Sequence, residues 1–199
     1  DTLLKRDCAH PADLFALMEV THQAALGFAE ARVAAEAETR QTLGREVTLA
    51  EIYAHPALRD TDPAAECAAE LAMIAPNRPV AQAAAACHAR GQKVYAVSDM
   101  YLPKEQIEAM LQKCGLDFLD GVFVSCEYGV QKRSGKLFKL FLQQTALRPA
   151  EVLFVGDSPR ADFAGAALAG IRCFLLPQPT PLPYTKTPAD AVGGVAIAT

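Results

Sequence analysis

Val152-Leu153-Phe154-Val155-Gly156-Asp157-Ser158-Pro159-Arg160-Ala161-Asp162 is a short apolar run that ends on Gly-Asp, with a second Asp five residues later at the mouth of a helix. An apolar run of this length, bounded by Gly and Pro, reads as a buried strand. Strand, acidic turn and helix in that order are the layout of a cation site at the carboxyl edge of a parallel sheet.

The same rhythm extends upstream to residue 92. Residues 93–97, 121–124, 152–155 and 171–175 read as strands; residues 103–113, 134–144 and 160–168 read as helices between them. In residues 103–113, Ile107, Met110 and Leu111 share one face. Such alternation implies an α/β fold, a Rossmann-like parallel sheet with helices on both sides. Before residue 92 the chain is rich in Ala, Glu, Gln, Arg and Leu, which favours helix. Pro11 suits the first turn of one helix, and residues 21–42 read as a single long one. Thr48-Leu49-Ala50-Glu51 is a capping box; Asp62-Pro63 and Pro79 open two more helices, the last stopped by Gly91. Residues 177–199, rich in Pro and Thr at first, read as an extended tail.

Composition narrows the function. The chain has 199 residues, 51% hydrophobic and 21% charged, enough for one α/β domain with an insertion or for two small domains. A net charge of −4 argues against a nucleic-acid partner, which calls for a basic face. No apolar run reaches the ~18 residues of a membrane span. Six cysteines stand scattered with no C-x-x-C pair, and are expected to be free, mostly buried thiols of a reducing, cytoplasmic setting. Arg32, Arg40 and Arg45 are expected to form ion pairs at helical spacing on the surface, rather than to meet an anionic substrate.

In an open parallel sheet, reactive side chains lie just beyond the carboxyl ends of the strands. Those positions hold Ser98-Asp99, the 127–132 segment with Lys132, and the turn from Asp157 to Asp162. A hydroxyl, an amine and two carboxylates suit a phosphoryl group: the hydroxyl and nearby N–H groups bond its oxygens, the amine offsets its charge, and the carboxylates hold Mg²⁺.

With these residues in place, the chain resembles the haloacid dehalogenase-like (HAD) superfamily of hydrolases. Asp1-Thr2-Leu3-Leu4 is similar to the tail of the family's first motif, residues 94–99 to the second with Ser98 as its hydroxyl, Lys132 to the third, and residues 156–162 to the fourth. The resemblance implies a HAD core at residues 1–9 and 91–176 and a C1-type helical cap at residues 10–90. It implies a phosphatase for a small phosphorylated metabolite, working through an aspartyl-phosphate. Catalytic roles fall on Ser98, Lys132 and Asp157; phosphate contacts on Thr2, Ser98, Asp99 and Lys132; and Mg²⁺ ligation on Asp157 and Asp162. The nucleophilic Asp is expected three residues before Asp1, on a central strand largely outside this chain, so that the native protein is longer at its amino end. A 2-haloacid dehalogenase and a non-catalytic binding domain of the same fold are the rival readings. Substrate identity and oligomeric state are not legible in the sequence.

Overall fold

The computed structural model describes residues 2–6, 8 and 10–177; the expected tail beyond Pro177 lies outside them. The first strand, β1 (Leu4–Arg6), pairs antiparallel with β2 (Ile74–Pro76) in the register Leu4↔Pro76 and Arg6↔Ile74. Between them runs a helical insert: α1 (Asp13–Val20), α2 (Phe28–Leu43), α3 (Leu49–Tyr53) and α4 (Pro63–Met73). After β2 come α5 (Arg78–Ala89), β3 (Tyr95–Ser98), α6 (Lys104–Lys113), β4 (Gly121–Val124) and the short α7 (Ser125–Tyr128). The chain continues through α8 (Lys136–Thr145), β5 (Leu153–Gly156), a π-helical turn (Pro159–Ala164), α9 (Gly165–Leu168) and β6 (Arg172–Leu175).

β3 pairs parallel with β4, and β5 parallel with β6. The alternation of side chains along β3 and β4 sorts them onto two cores. Ala96, Val122 and Val124 join the core that holds α6 and the insert's helices. Tyr95, Val97 and Phe123 face the other way, against Phe141 of α8. The same second core takes Phe154 of β5, set edge-on to Phe138 at 4.8 Å between ring centroids. Thus α8, whose Leu137, Phe138 and Phe141 are buried, is the common floor of both parallel pairs.

The expected helices and strands are present with small shifts at their ends, and two departures have clear causes. Residues 21–42 do not form one helix: α2 starts at Phe28, after Gly27 adopts φ +89°, a conformation that L side chains rarely take. Its first turn is capped instead by Glu19, whose Oε1 accepts the Ala29 N–H at 2.7 Å. The expected 160–168 helix opens as a π turn. There the Phe163 N–H reaches the Ser158 carbonyl five residues back at 3.1 Å, and the regular α bonding resumes at Gly165. Such turns recur at functional sites. The Thr48–Glu51 capping box is present as read.

Two expectations about side chains are corrected. All six cysteines are free thiols, but only Cys126 is fully buried. Arg32 is no surface residue: it is 0% exposed, and its guanidinium forks onto Glu66 at 2.6 and 2.9 Å. Its flat faces lie 4.8 Å from the Phe15 ring and 4.6 Å from that of Tyr101, while Tyr53 adds a hydroxyl to Glu66 at 2.8 Å. A helical i, i+4 reading finds Glu36, which does bond Arg32 at 3.0 Å, but not a partner thirty-four residues away on another helix. No helix among the described residues is long and apolar enough to cross a membrane.

Removing one partner of a buried ion pair leaves the other charge uncompensated, at a cost of about 3–5 kcal/mol. Glu66→Ala is therefore expected to lower the urea unfolding free energy by that amount. Glu38→Ala, at a carboxylate with 63% of its side chain exposed, is expected to change it by less than about 0.5 kcal/mol.

Candidate active site

Asp157 follows Gly156 at the carboxyl end of β5. The backbone then turns so tightly that a Cβ on residue 156 would collide with the side chain of Asp162. Glycine is what lets the second acid fold back under the turn. Asp162, only 2% exposed, uses that space fully. Its Oδ2 accepts the N–H groups of Asp157 at 2.9 Å and Ser158 at 3.0 Å, and its Oδ1 accepts the ammonium of Lys132 at 2.5 Å. Ser158 caps the following turn by accepting the Ala161 N–H at 3.1 Å. Asp162 thus braces the strand-end turn and fixes the lysine with one carboxylate.

Lys132 lies on a short 3-10 turn (Lys132–Ser134) leading into α8. Its side chain is 13% exposed and its ammonium stands 5.6 Å from the centre of the Phe154 ring. The solvated basic face that neighbouring Arg133 and Lys136 suggest in the sequence is not where this amine goes. Its backbone is held as closely: the Lys132 N–H donates to Asp99 Oδ1 at 2.8 Å, and a Cβ on residue 165 would strike the Lys132 carbonyl. Gly165 therefore permits α9 to press against this turn.

Ser98 ends β3 opposite Val124, and its hydroxyl makes no side-chain hydrogen bond among the described residues. The loop after it is pinned from both sides. Asp99 holds Lys132, while buried Ser125 accepts the Met100 N–H at 2.8 Å and donates to the Met100 carbonyl at 3.3 Å. Burial pushes the Asp99 carboxyl above its ordinary value; Lys132 pulls it down, and the charges of Glu46 and Asp162 push it up again.

Thr2 reaches the same place from the far end of the chain: its hydroxyl donates to Asp157 Oδ1 at 2.8 Å. Asn77 holds it there, bonding the Thr2 carbonyl through Nδ2 at 2.8 Å and the Leu3 carbonyl through its backbone N–H at 2.8 Å. The structure therefore brings Thr2, Asp99, Lys132, Asp157 and Asp162 into one bonded set, with Ser98 beside it at the end of β3. Asn77 and Ser125 were not singled out from the sequence, Phe154 reads there as strand core, and Gly165 as part of a small-residue packing pattern. Asn77 stands between Pro76 and Pro79 with no marker of its role, and the part played by Gly165 depends on a carbonyl thirty-three residues away.

The fit of a divalent cation can be judged from the donors. Mg²⁺ takes oxygen ligands and is commonly held by one or two carboxylates, with water and substrate phosphate filling the rest. Asp157 supplies such a carboxylate at the strand end, with Asp162 directly behind it. No group of three or more His, Cys, Asp or Glu able to hold a metal occurs among the described residues. The donor set thus suits Mg²⁺ shared with a phosphate and does not suit an all-protein zinc or calcium cage.

A family model for haloacid dehalogenase-like hydrolases matches residues 7–170. The chain belongs to the haloacid dehalogenase-like hydrolase family. Among curated relatives it is 41% identical over 51 residues to a phosphoserine phosphatase of Thermus thermophilus (26% of this chain, 20% of the relative). It is 38% identical over 68 residues to a ribulose-1,5-bisphosphate 5-phosphatase of Halopiger xanaduensis (34% of this chain, 28% of the relative). The matched segments span well under half the length of these relatives. In fold, the chain is similar to a 2-haloacid dehalogenase of Pseudomonas syringae, with a TM-score of 0.58 at 18% identity, covering 93% of this chain and 87% of the other.

Because the folded value of Asp99 lies above its ordinary 3.8, this carboxyl favours the folded state below that pH and loses the contribution as pH rises through the raised value. Asp99→Asn keeps an oxygen for the Lys132 N–H and removes the titration. Urea unfolding between about pH 3 and 7 is expected to show wild-type stability falling relative to the variant across that window; superimposable profiles would contradict the assignment.

Proposed function

We propose that this protein is a Mg²⁺-dependent phosphohydrolase acting on a small phosphorylated metabolite through an aspartyl-phosphate. The observation that carries this reading is the Lys132–Asp162 pair at 2.5 Å, set at the same strand edge as Asp157 and within one bonded network with Thr2 and Asp99. The phosphatase relatives support it. Dehalogenation needs no Mg²⁺, so a pair of acids suited to that ion counts for the phosphatase reading, and the fold likeness to a dehalogenase is common to both.

In this reading Ser98 donates its hydroxyl to a phosphoryl oxygen. Lys132, immobilised by Asp162 and shielded by Phe154, places its charge against the oxygens that become more negative as phosphorus is attacked. Thr2 orients Asp157, and Asp99 holds the Lys132 backbone so that its ammonium is already aimed when substrate arrives. Asp157 and Asp162 would hold Mg²⁺, with Asp162 acting directly or through water; when bound, the ion draws negative charge off the phosphoryl oxygens.

The reading calls for a nucleophilic Asp on a parallel strand lying between β3 and β5. Among the described residues β3 and β5 are each bonded on one side only. A parallel strand carrying that Asp would join the two pairs into one sheet. Residues 10–90 act as the cap and residues 91–176 as the core. The covalent step moves the phosphoryl group to the Asp carboxylate as the substrate alcohol departs; water then cleaves the acyl phosphate and releases inorganic phosphate.

The test is a panel of phosphorylated metabolites offered to the full-length protein with and without Mg²⁺. Asp157→Asn and Lys132→Met are each expected to lower kcat by about 10²-fold or more without loss of the folded circular dichroism spectrum. Undiminished turnover by Asp157→Asn would remove that residue from the metal site, and halide release from a 2-haloacid without Mg²⁺ would favour the dehalogenase reading.

A further inference from the structure

A groove of about 540 Å³ opens between the end of α2 and the segment that carries Lys132. One wall is Arg40, Arg45 and Glu46 from the insert; the other is Gly129, Arg133 and Lys136 from the core. Four cations face one carboxylate there, in a chain whose net charge is −4. The insert's cations are already occupied. Arg40 bonds Glu36 at 3.0 Å and also Glu46, and Arg45 pairs with Glu51. The one carboxylate in the lining is itself neutralised, since Glu46 accepts both Arg40 and the Gln131 side-chain amide, the latter at 2.8 Å.

Arg133 and Lys136 differ. Both are exposed, both line the groove, and neither meets a carboxylate within salt-bridge distance among the described residues. They bracket Gly135, whose φ of +71° turns the chain sharply from the 3-10 turn into α8 and lets two side chains three residues apart converge on one space. The lining includes Gln131 and Arg133, the residues on either side of Lys132. Arg133 follows Lys132 directly, so their Cα atoms stand about 3.8 Å apart. Lys132 sends its ammonium inward to Asp162 while Arg133 serves the groove. Glu46 on the facing wall is near enough to Asp99 for its charge to be felt there.

We infer that this groove binds a second anionic group of the substrate, a phosphate or carboxylate carried on the same small molecule as the phosphoryl group that is removed, with Arg133 and Lys136 as its specificity-determining contacts. The inference rests on the phosphohydrolase reading above and narrows its substrate class to metabolites that carry two separate anionic groups, such as bisphosphates or phosphorylated acids. A guanidinium and an ammonium on one wall give a phosphate or carboxylate charge-assisted hydrogen bonds of the strong kind. The paired Arg40 and Arg45 shape the opposite wall without needing to be released.

The experiment compares two probes that cannot be hydrolysed, methylphosphonate and an alkyl bisphosphonate, titrated by calorimetry into the full-length protein with Mg²⁺. The Arg133→Ser/Lys136→Gln double variant is expected to bind the bisphosphonate about tenfold more weakly and methylphosphonate unchanged. The conservative Arg133→Lys/Lys136→Arg pair is expected to retain most of the bisphosphonate affinity. In turnover, the first double variant should raise KM for a sugar bisphosphate by a similar factor and leave kcat/KM for an aryl phosphate unaltered. Unchanged bisphosphonate binding, or equal loss for both probes, overturns the inference. If no phosphate ester is hydrolysed yet the bisphosphonate discrimination follows Arg133 and Lys136, the groove stands as a site for a second anionic group and the phosphohydrolase reading falls.

Discussion

One buried carboxylate organises the reactive edge of this protein. Asp162 is nearly sealed from solvent, and a buried carboxylate is costly unless its oxygens are fully bonded. It meets that demand with two backbone N–H groups of its own turn and the ammonium of Lys132. The three donors come from two segments, the turn after β5 and the 3-10 turn before α8, so satisfying the charge also ties β5 and the start of α8 together. Gly156 and Gly165 follow from the same constraint. Each lies where a Cβ would intrude, the first on Asp162 and the second on the Lys132 carbonyl. The π turn between them is the backbone's adjustment to a side chain that must reach back four and five residues to its partners.

A second buried charge does similar work away from the site. Arg32 and Glu66 bind α2 to α4, and the Tyr101 ring against Arg32 connects both to the loop that carries Ser98 and Asp99. The Leu49 N–H adds a bond to the Tyr101 carbonyl at 2.8 Å. Since Leu102, Ile107 and Met110 of the core share one apolar cluster with Leu14, Phe28 and Ile52 of the insert, the insert is seated on the core by packing as well as by charge. An insert held in this way presents a formed wall to the groove beside Lys132.

Much of the candidate site was legible along the chain because its residues stand at strand ends, and strand ends are marked by local chemistry. Ser98, Lys132 and Asp157 each follow an apolar run or a turn that the side-chain pattern reveals. What the pattern could not supply was the bonding among them. Asp162 read as a second acid near a first; only the folded turn turns its oxygens onto backbone and lysine. Lys132 sits in a run of basic residues, and no pattern in the sequence shows that Phe154 and Asp162 are what its ammonium meets. Arg32 was misplaced for the same reason, since a regular helical spacing is visible in sequence and a partner on another helix is not.

The sequence by itself determined the alternation of strands and helices, the Gly-Asp turn, the capping box and the order of the motif residues, because these depend on side-chain period and on contacts within a few residues. Tertiary structure decided which charges are buried, where α2 begins, how Thr2 and Asn77 reach Asp157, and that Arg133 and Lys136 share a groove with the insert. Those outcomes turn on segments far apart in the chain being desolvated together, and no local pattern records which donor a buried oxygen will find.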